Sequence, residues 1–184
     1  MRSKTAYATA LVLALGVVAS VGLTRQQDKS QRPSPSANAQ CSFTDGKTIG
    51  TAYSSPRMKG RKIFASDGLV PYGKVWRAGA NEATTFVTTA DLTVGGKDVA
   101  AGSYTLFAIP SADKWTLIIS KKTGEWGIPY PGEQYDLARV DMTVTHLTAP
   151  TENFLISYNK SNGGCTLNLE WEQTRASVTF KEKM

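Results

Sequence analysis

GSYTLFAIPSADKWTLIIS, residues 102–120, decides the fold class. Tyr104, Leu106 and Ala108 alternate with Thr105, Phe107 and Ile109, a period of two rather than 3.6. Both sets are apolar or small, so the spacing predicts a strand covered on both faces. Pro110–Asp113 reads as a turn, and Lys114–Ser120 resumes the alternation with Trp115, Leu117 and Ile119 on one face.

The same period extends outward in both directions. Upstream, Thr48–Tyr53 places Ile49, Thr51 and Tyr53 together, and Ala83–Thr89 is rich in β-branched and aromatic residues. Asp91–Val94 and Lys97–Val99 flank Gly95-Gly96, a hairpin signal. Downstream, Ala138–Leu147 alternates with Val140, Met142, Val144 and His146 on one face, so the single histidine is expected to be half-buried and structural. Asn153–Tyr158, Cys165–Trp171 and Ser177–Phe180 complete the series, with a turn at Gly163-Gly164. Nine or ten short strands and no helical period after residue 24 predict an all-β single domain, an antiparallel β-sandwich of jelly-roll-like type.

Three segments follow from composition. Arg2 and Lys4 precede the uncharged, mostly apolar run Ala6–Leu23, so residues 1–23 read as a signal peptide or membrane anchor. Residues 24–40, rich in Gln, Ser and Pro, read as a flexible linker. The β-domain is then expected over residues 41–184. The formal charge is +6, but residues 1–39 supply +4 of it, leaving +2 for the remainder. That balance lacks the sustained basic face of a nucleic-acid binder. Cys41 and Cys165, in an exported chain, read as one disulfide closing nearly the whole domain. The expected location is periplasmic or secreted, with membrane contact only through the N-terminal segment.

Chemistry concentrates in Arg57–Thr85, RMKGRKIFASDGLVPYGKVWRAGANEATT, and in KKTGEWGIPYPGEQYD, residues 121–136. Both resist a strand reading, and long ordered loops in compact domains tend to be functional. Trp76 and Arg77 are neighbours, so on an extended chain one points inward and the other outward. Arg61 and Arg77 suit an anion, Asn81 a hydrogen-bonding ligand, and Glu82 an acid, base or cation partner. The alternative is an internal Arg77–Glu82 ion pair beside a turn. Trp126 and Tyr130 supply ring faces for a sugar, or else pin their loop to the sandwich. Glu82 approaching Glu133 or Asp136 would make a carboxylate pair for hydrolysis.

Several chemistries are excluded. One histidine rules out a multi-histidine metal site, and two cysteines with no histidine nearby make a poor zinc site. The GxSxG elbow, the Walker A loop, the Rossmann fingerprint, the DxDxDG calcium loop and CxxC are all missing from the sequence. No cofactor and no metal are expected.

YSSPRMKGRKIF, GLVPYGKVWRAGANEATT, AAGSYTLFAIP, KWTLIISKKTGEWG and LEWEQTRASV together resemble the bacterial family called domain of unknown function 2911. The resemblance covers about residues 43–181, and its hallmark maps onto Gly68–Thr85. It implies an exported, β-rich bacterial protein of unassigned activity, and it carries over no catalytic residue. The expected function is a binding module for a polar or anionic small ligand or glycan in the cell envelope, built from Arg61, Trp76, Arg77, Asn81, Glu82, Trp126 and Tyr130. A carboxylate-dependent hydrolase using Glu82 and a structural or protein-interaction domain are the alternatives.

Overall fold

A computed structural model describes residues 31–161 and 163–183. The expected leader and the first part of the expected linker lie outside them. Eleven strands form in chain order: β1 (Ser36–Ser42), β2 (Thr48–Ser54), β3 (Phe64–Ala65), β4 (Val70–Pro71), β5 (Thr84–Thr88), β6 (Leu92–Val94), β7 (Lys97–Val99), β8 (Gly102–Ile109), β9 (Lys114–Ser120), β10 (Asp136–Ser161) and β11 (Gly164–Glu182). Nine of them make one antiparallel sheet, ordered β1-β2-β5-β8-β9-β10-β11-β6-β7, and β3 and β4 pair separately in parallel. The all-β reading holds, and among the described residues no α-helix forms.

The sheet doubles back because β10 turns a corner. From His146 to Leu155 β10 advances nine residues, while its partner β11 advances four, from Thr174 to Glu170. Extra residues on one strand bend it, and bends of this kind carry a strand from one layer to another. Opposite the corner, Glu172 takes a left-handed backbone, with φ of 54°. Beyond the bend, Phe154–Tyr158 faces the inner side of β2. The Ile156 N–H donates to the Tyr53 hydroxyl at 3.0 Å, Tyr53 meets Phe154 edge-on at 5.6 Å, and Tyr158 shares a short hydrogen bond with Thr51. The Cys41–Cys165 disulfide ties β1 to β11 across 124 residues of sequence.

The main core lies between these layers. It includes Ile49, Phe86, Leu106, Leu117, Ile119, Met142, Leu167, Leu169 and Phe180, all at most 1% exposed. Among them Ile49, Leu117, Ile119 and Met142 are inward positions predicted by the period of two. A second, smaller cluster sits on the outer face, where Ala83, Phe107 and Ile118 are covered by Val75, Ile109 and Tyr130. This explains why β8 is apolar on both faces, since the loop of residues 121–135 packs over it.

Three expectations are corrected. Residues 36–40, expected to belong to a flexible linker, form most of β1, whose Ala37, Ala39 and Cys41 face inward while Ser36, Asn38 and Gln40 face out. Small inward residues and polar outward ones give an edge strand the composition of a linker. His146 is exposed rather than half-buried. It stands at the start of the β10 corner, beyond the last β9 partner at Thr143, so no layer covers it. Finally, the paired short strands expected over residues 138–158 and 165–180 are continuous within β10 and β11.

Candidate functional site: a cleft between two loops

The segment before β5 is anchored through Trp76. Its backbone exchanges two hydrogen bonds with Ala108 of β8, each 2.8 Å. The indole turns into the core, stacked on Trp171 at 6.0 Å and edge-on to Phe154 at 4.9 Å and Phe64 at 6.0 Å. Its Nε1–H donates to the Gly79 carbonyl at 3.0 Å, so the ring also closes the following turn. Gly79 lets the chain pass close there, because a Cβ would stand 3.0 Å from the Ser54 carbonyl oxygen and 3.1 Å from the Thr84 hydroxyl.

Arg77, the next residue along an extended chain, points the other way. Its guanidinium donates to the Trp126 carbonyl at 3.0 Å and lies over the Trp126 ring, 5.1 Å from the centroid. The second loop reaches this point by close packing. The Ala83 N–H donates to the Glu125 carbonyl at 3.1 Å, and a Cβ on Gly127 would stand 2.8 Å from the Ala83 Cβ and 3.0 Å from the Arg77 Cβ. The two irregular stretches singled out in the sequence therefore meet.

Where they meet, a cleft of about 320 Å³ opens, lined by Arg61, Leu69, Trp76, Arg77, Ile128 and Trp171, with Ser34, Pro56, Val70, Gly79 and Ala80 completing it. Arg61 donates through Nε to the Met58 carbonyl at 2.9 Å and through Nη2 to the Arg57 carbonyl at 2.6 Å. Neither Arg61 nor Arg77 forms an ion pair with a carboxylate among the described residues. Burial lowers the pKa of Arg77, and the field of Glu82 opposes that. The mouth is apolar: Leu69 is 47% exposed and Ile128 65%, with Trp126 beside them at 52%.

Asn81 and Glu82 face a different partner. The Asn81 side-chain N–H donates to the Ser34 carbonyl at 3.0 Å, from a left-handed backbone at φ 57°. Arg32 Nη1 donates to both Glu82 carboxylate oxygens, at 3.0 and 2.9 Å. The Arg77–Glu82 ion pair, weighed as the alternative to a pocket wall, does not form: Arg77 holds the Trp126 carbonyl and Arg32 holds Glu82. These contacts, with the Ser55 N–H on the Pro35 carbonyl at 2.9 Å, clamp residues 32–35 beside the cleft.

Tyr130 packs edge-on against Phe107 at 5.2 Å, donates its hydroxyl hydrogen to Asp136 and accepts from Arg139 at 3.3 Å. Burial, then the Asp136 hydrogen bond, pushes its phenol up to about 12. Arg139 also pairs with Glu133 at 3.1 Å and Asp136 at 2.7 Å. The carboxylates considered for hydrolysis are therefore held by two different arginines, Glu82 by Arg32 and the other two by Arg139. Among the described residues, no second acid lines the small cavity beside Glu82, about 120 Å³. Among the described residues no three His, Cys, Asp or Glu side chains gather as a metal site.

Of the seven expected site residues, Arg61, Trp76 and Arg77 line the cleft and Trp126 holds Arg77 at its edge. Asn81 and Glu82 grip the N-terminal segment, and Tyr130 pins the second loop. Sequence reasoning passed over Leu69 and Ile128. Each is a large aliphatic residue directly after a glycine in an irregular loop, in Gly68-Leu69-Val70 and Gly127-Ile128-Pro129. That placement was the available signal, because such loops offer little core to bury an aliphatic side chain.

Residues 34–180 match the family model described as protein of unknown function (DUF2911), and the chain belongs to that family. No curated protein and no solved structure matches it.

Proposed function

We propose that this protein is an exported binding module for a small polar or anionic ligand, with the cleft between the two loops as its site. The carrying observation is the pair of guanidiniums, Arg61 and Arg77, that flank a concave, largely apolar cavity without a carboxylate partner among the described residues. Pockets that bind small molecules combine apolar walls with a few placed polar groups, and this one has that composition. Arg77 is partly desolvated against Trp126, so an anion arriving there would meet a cation weakly screened by water. Export is supported by the basic and apolar leader in the sequence and by the Cys41–Cys165 disulfide, which suits an oxidising compartment.

The test is calorimetric titration with simple mono- and dicarboxylates, phosphate monoesters and uronic acids. Binding of one of these classes is expected, weakened about tenfold or more in both Arg61→Gln and Arg77→Gln, as befits loss of a charge-assisted hydrogen bond. If no class binds, or if both variants bind as the wild type does, the cleft is not the site. A neutral sugar binding independently of both arginines would move the site elsewhere on the sandwich.

A further inference from the structure

The cleft and its rim combine two features that rarely adjoin by chance. Two arginines, Arg61 and Arg77, are among the residues that line the cleft. At the mouth, Leu69 and Ile128 present aliphatic side chains about half and two-thirds exposed, and both also line the cavity. Large aliphatics left in water cost free energy roughly in proportion to their area, so a cluster of them at a concave site marks a contact surface. The wall behind them is continuous with this rim, through Val70, Trp76 and Trp171. A purely polar ligand would leave that wall and rim uncompensated. A purely apolar one would desolvate Arg61 and Arg77 without replacing their hydration.

We infer that the ligand is a single-chain amphiphilic anion, its head between Arg61 and Arg77 and its aliphatic chain against Leu69 and Ile128. This rests on the anion-binding reading above and narrows it. At about 320 Å³ the cavity lies at the small end of ligand sites, which span roughly 300–1,000 Å³, so it suits one chain rather than two. Trp126 holds the Arg77 guanidinium over its ring and on its carbonyl, which keeps that cation at the edge of the cleft. The required chemistry is an anionic head with an aliphatic tail. A free fatty carboxylate and a single-chain lipid in a bilayer are its two sources.

The experiment is titration of the folded full-length protein with straight-chain carboxylates from butyrate to dodecanoate, below their micelle concentrations. Kd is expected to fall about twofold to fourfold per added methylene, the range for partly to fully buried CH₂ groups, until the chain leaves the cleft. Leu69→Ser with Ile128→Ser should flatten that dependence, with the largest loss of affinity at dodecanoate and the smallest at butyrate. Both residues are exposed, so thermal unfolding should confirm an intact fold. Arg77→Gln should weaken the whole series by one factor. Butyrate binding as tightly as dodecanoate would overturn the amphiphile and leave the anion site standing. Failure of every carboxylate to bind would overturn the amphiphile, whereas the anion site would survive if a phosphate or uronic acid still bound in an arginine-dependent way. A second arm separates the sources by sedimentation with vesicles containing a single-chain anionic lipid. Co-sedimentation displaced by dodecanoate assigns the bilayer, and binding of free dodecanoate alone assigns a soluble amphiphile. Co-sedimentation without binding of any monomer would overturn the inference, since it would describe a surface rather than a cleft.

Discussion

Trp76-Arg77 and Asn81-Glu82 lie a few residues apart in one motif, yet they serve different parts of the molecule. The first pair joins the hydrophobic core to the second loop and opens a cleft. The second pair turns back and holds residues 32–35. Ala78, just after the first pair, and Asn81, the first residue of the second, both take left-handed backbones, with φ of 49° and 57°, and Gly79 passes close against Ser54. Those local reversals separate the two directions. The contrast teaches that polar residues adjacent in sequence need not share a ligand, because two left-handed residues are enough to aim them apart.

The largest test removes the other fastening of the N-terminal strand. Replacing Cys41 and Cys165 together by Ala should lower unfolding free energy by up to about 4–5 kcal/mol in the chain-entropy model, for a loop of 124 residues. Urea denaturation with and without reductant would measure it. If the loss is under about 1 kcal/mol, the Asn81–Glu82 clamp rather than the disulfide holds β1 in place.

A smaller but more local effect is expected at the junction of the loops. Gly127 has φ of 82° and no room for a Cβ. Gly127→Val should destabilise by about 2–4 kcal/mol, from backbone strain together with overpacking against Ala83 and Arg77. It should also abolish ligand binding in the cleft while leaving the Ser55 amide protected from exchange. Loss of that protection as well would show that the two halves of the motif are one unit.

Breaking the clamp should have the reverse pattern. Asn81→Ala removes one hydrogen bond and places Ala at a left-handed position, a cost of about 1–2 kcal/mol. Glu82→Gln removes a partly exposed ion pair and should cost no more than about 1 kcal/mol. Hydrogen exchange at Ser55, which donates to Pro35, should accelerate in both, whereas Arg77-dependent binding should persist.

The least disruptive test is a titration. Tyr130 ionises at about 12, above the usual tyrosine value near 10. A raised phenol pKa means that the fold favours the neutral form. Its contribution is present below about pH 10, where the unfolded phenol is also neutral, and is lost as pH rises through about 12. Ultraviolet difference spectra of wild type and Tyr130→Phe should show one fewer high-pH phenol, and Tyr130→Phe should lose less stability than wild type over that interval.

Much of the strand framework was legible because inward residues repeat at every second position, and that pattern survives translation into any sheet with a buried face. Lys114–Ser120 appears as read, and the Gly95-Gly96 hairpin joins β6 to β7. β1 was hidden, since Ala37 and Ala39 are too small to announce an apolar face. The candidate site was legible in part. Arg61, Trp76 and Arg77 stand out by type, and Trp126 by its loop, whereas Leu69 and Ile128 are marked only by following a glycine in an irregular stretch.

The sequence by itself determined the β period, the family, the pairing of two cysteines and the two loops worth attention, because these depend on local alternation, composition and motif. The tertiary structure decided which loop meets which, that Glu82 faces Arg32 rather than Arg77, that His146 stands at an exposed corner, and that two aliphatic side chains frame a cationic cleft. Those outcomes depend on where β10 bends and on how closely Gly127 lets two distant segments approach. No local pattern encodes a separation between residues so far apart along the chain.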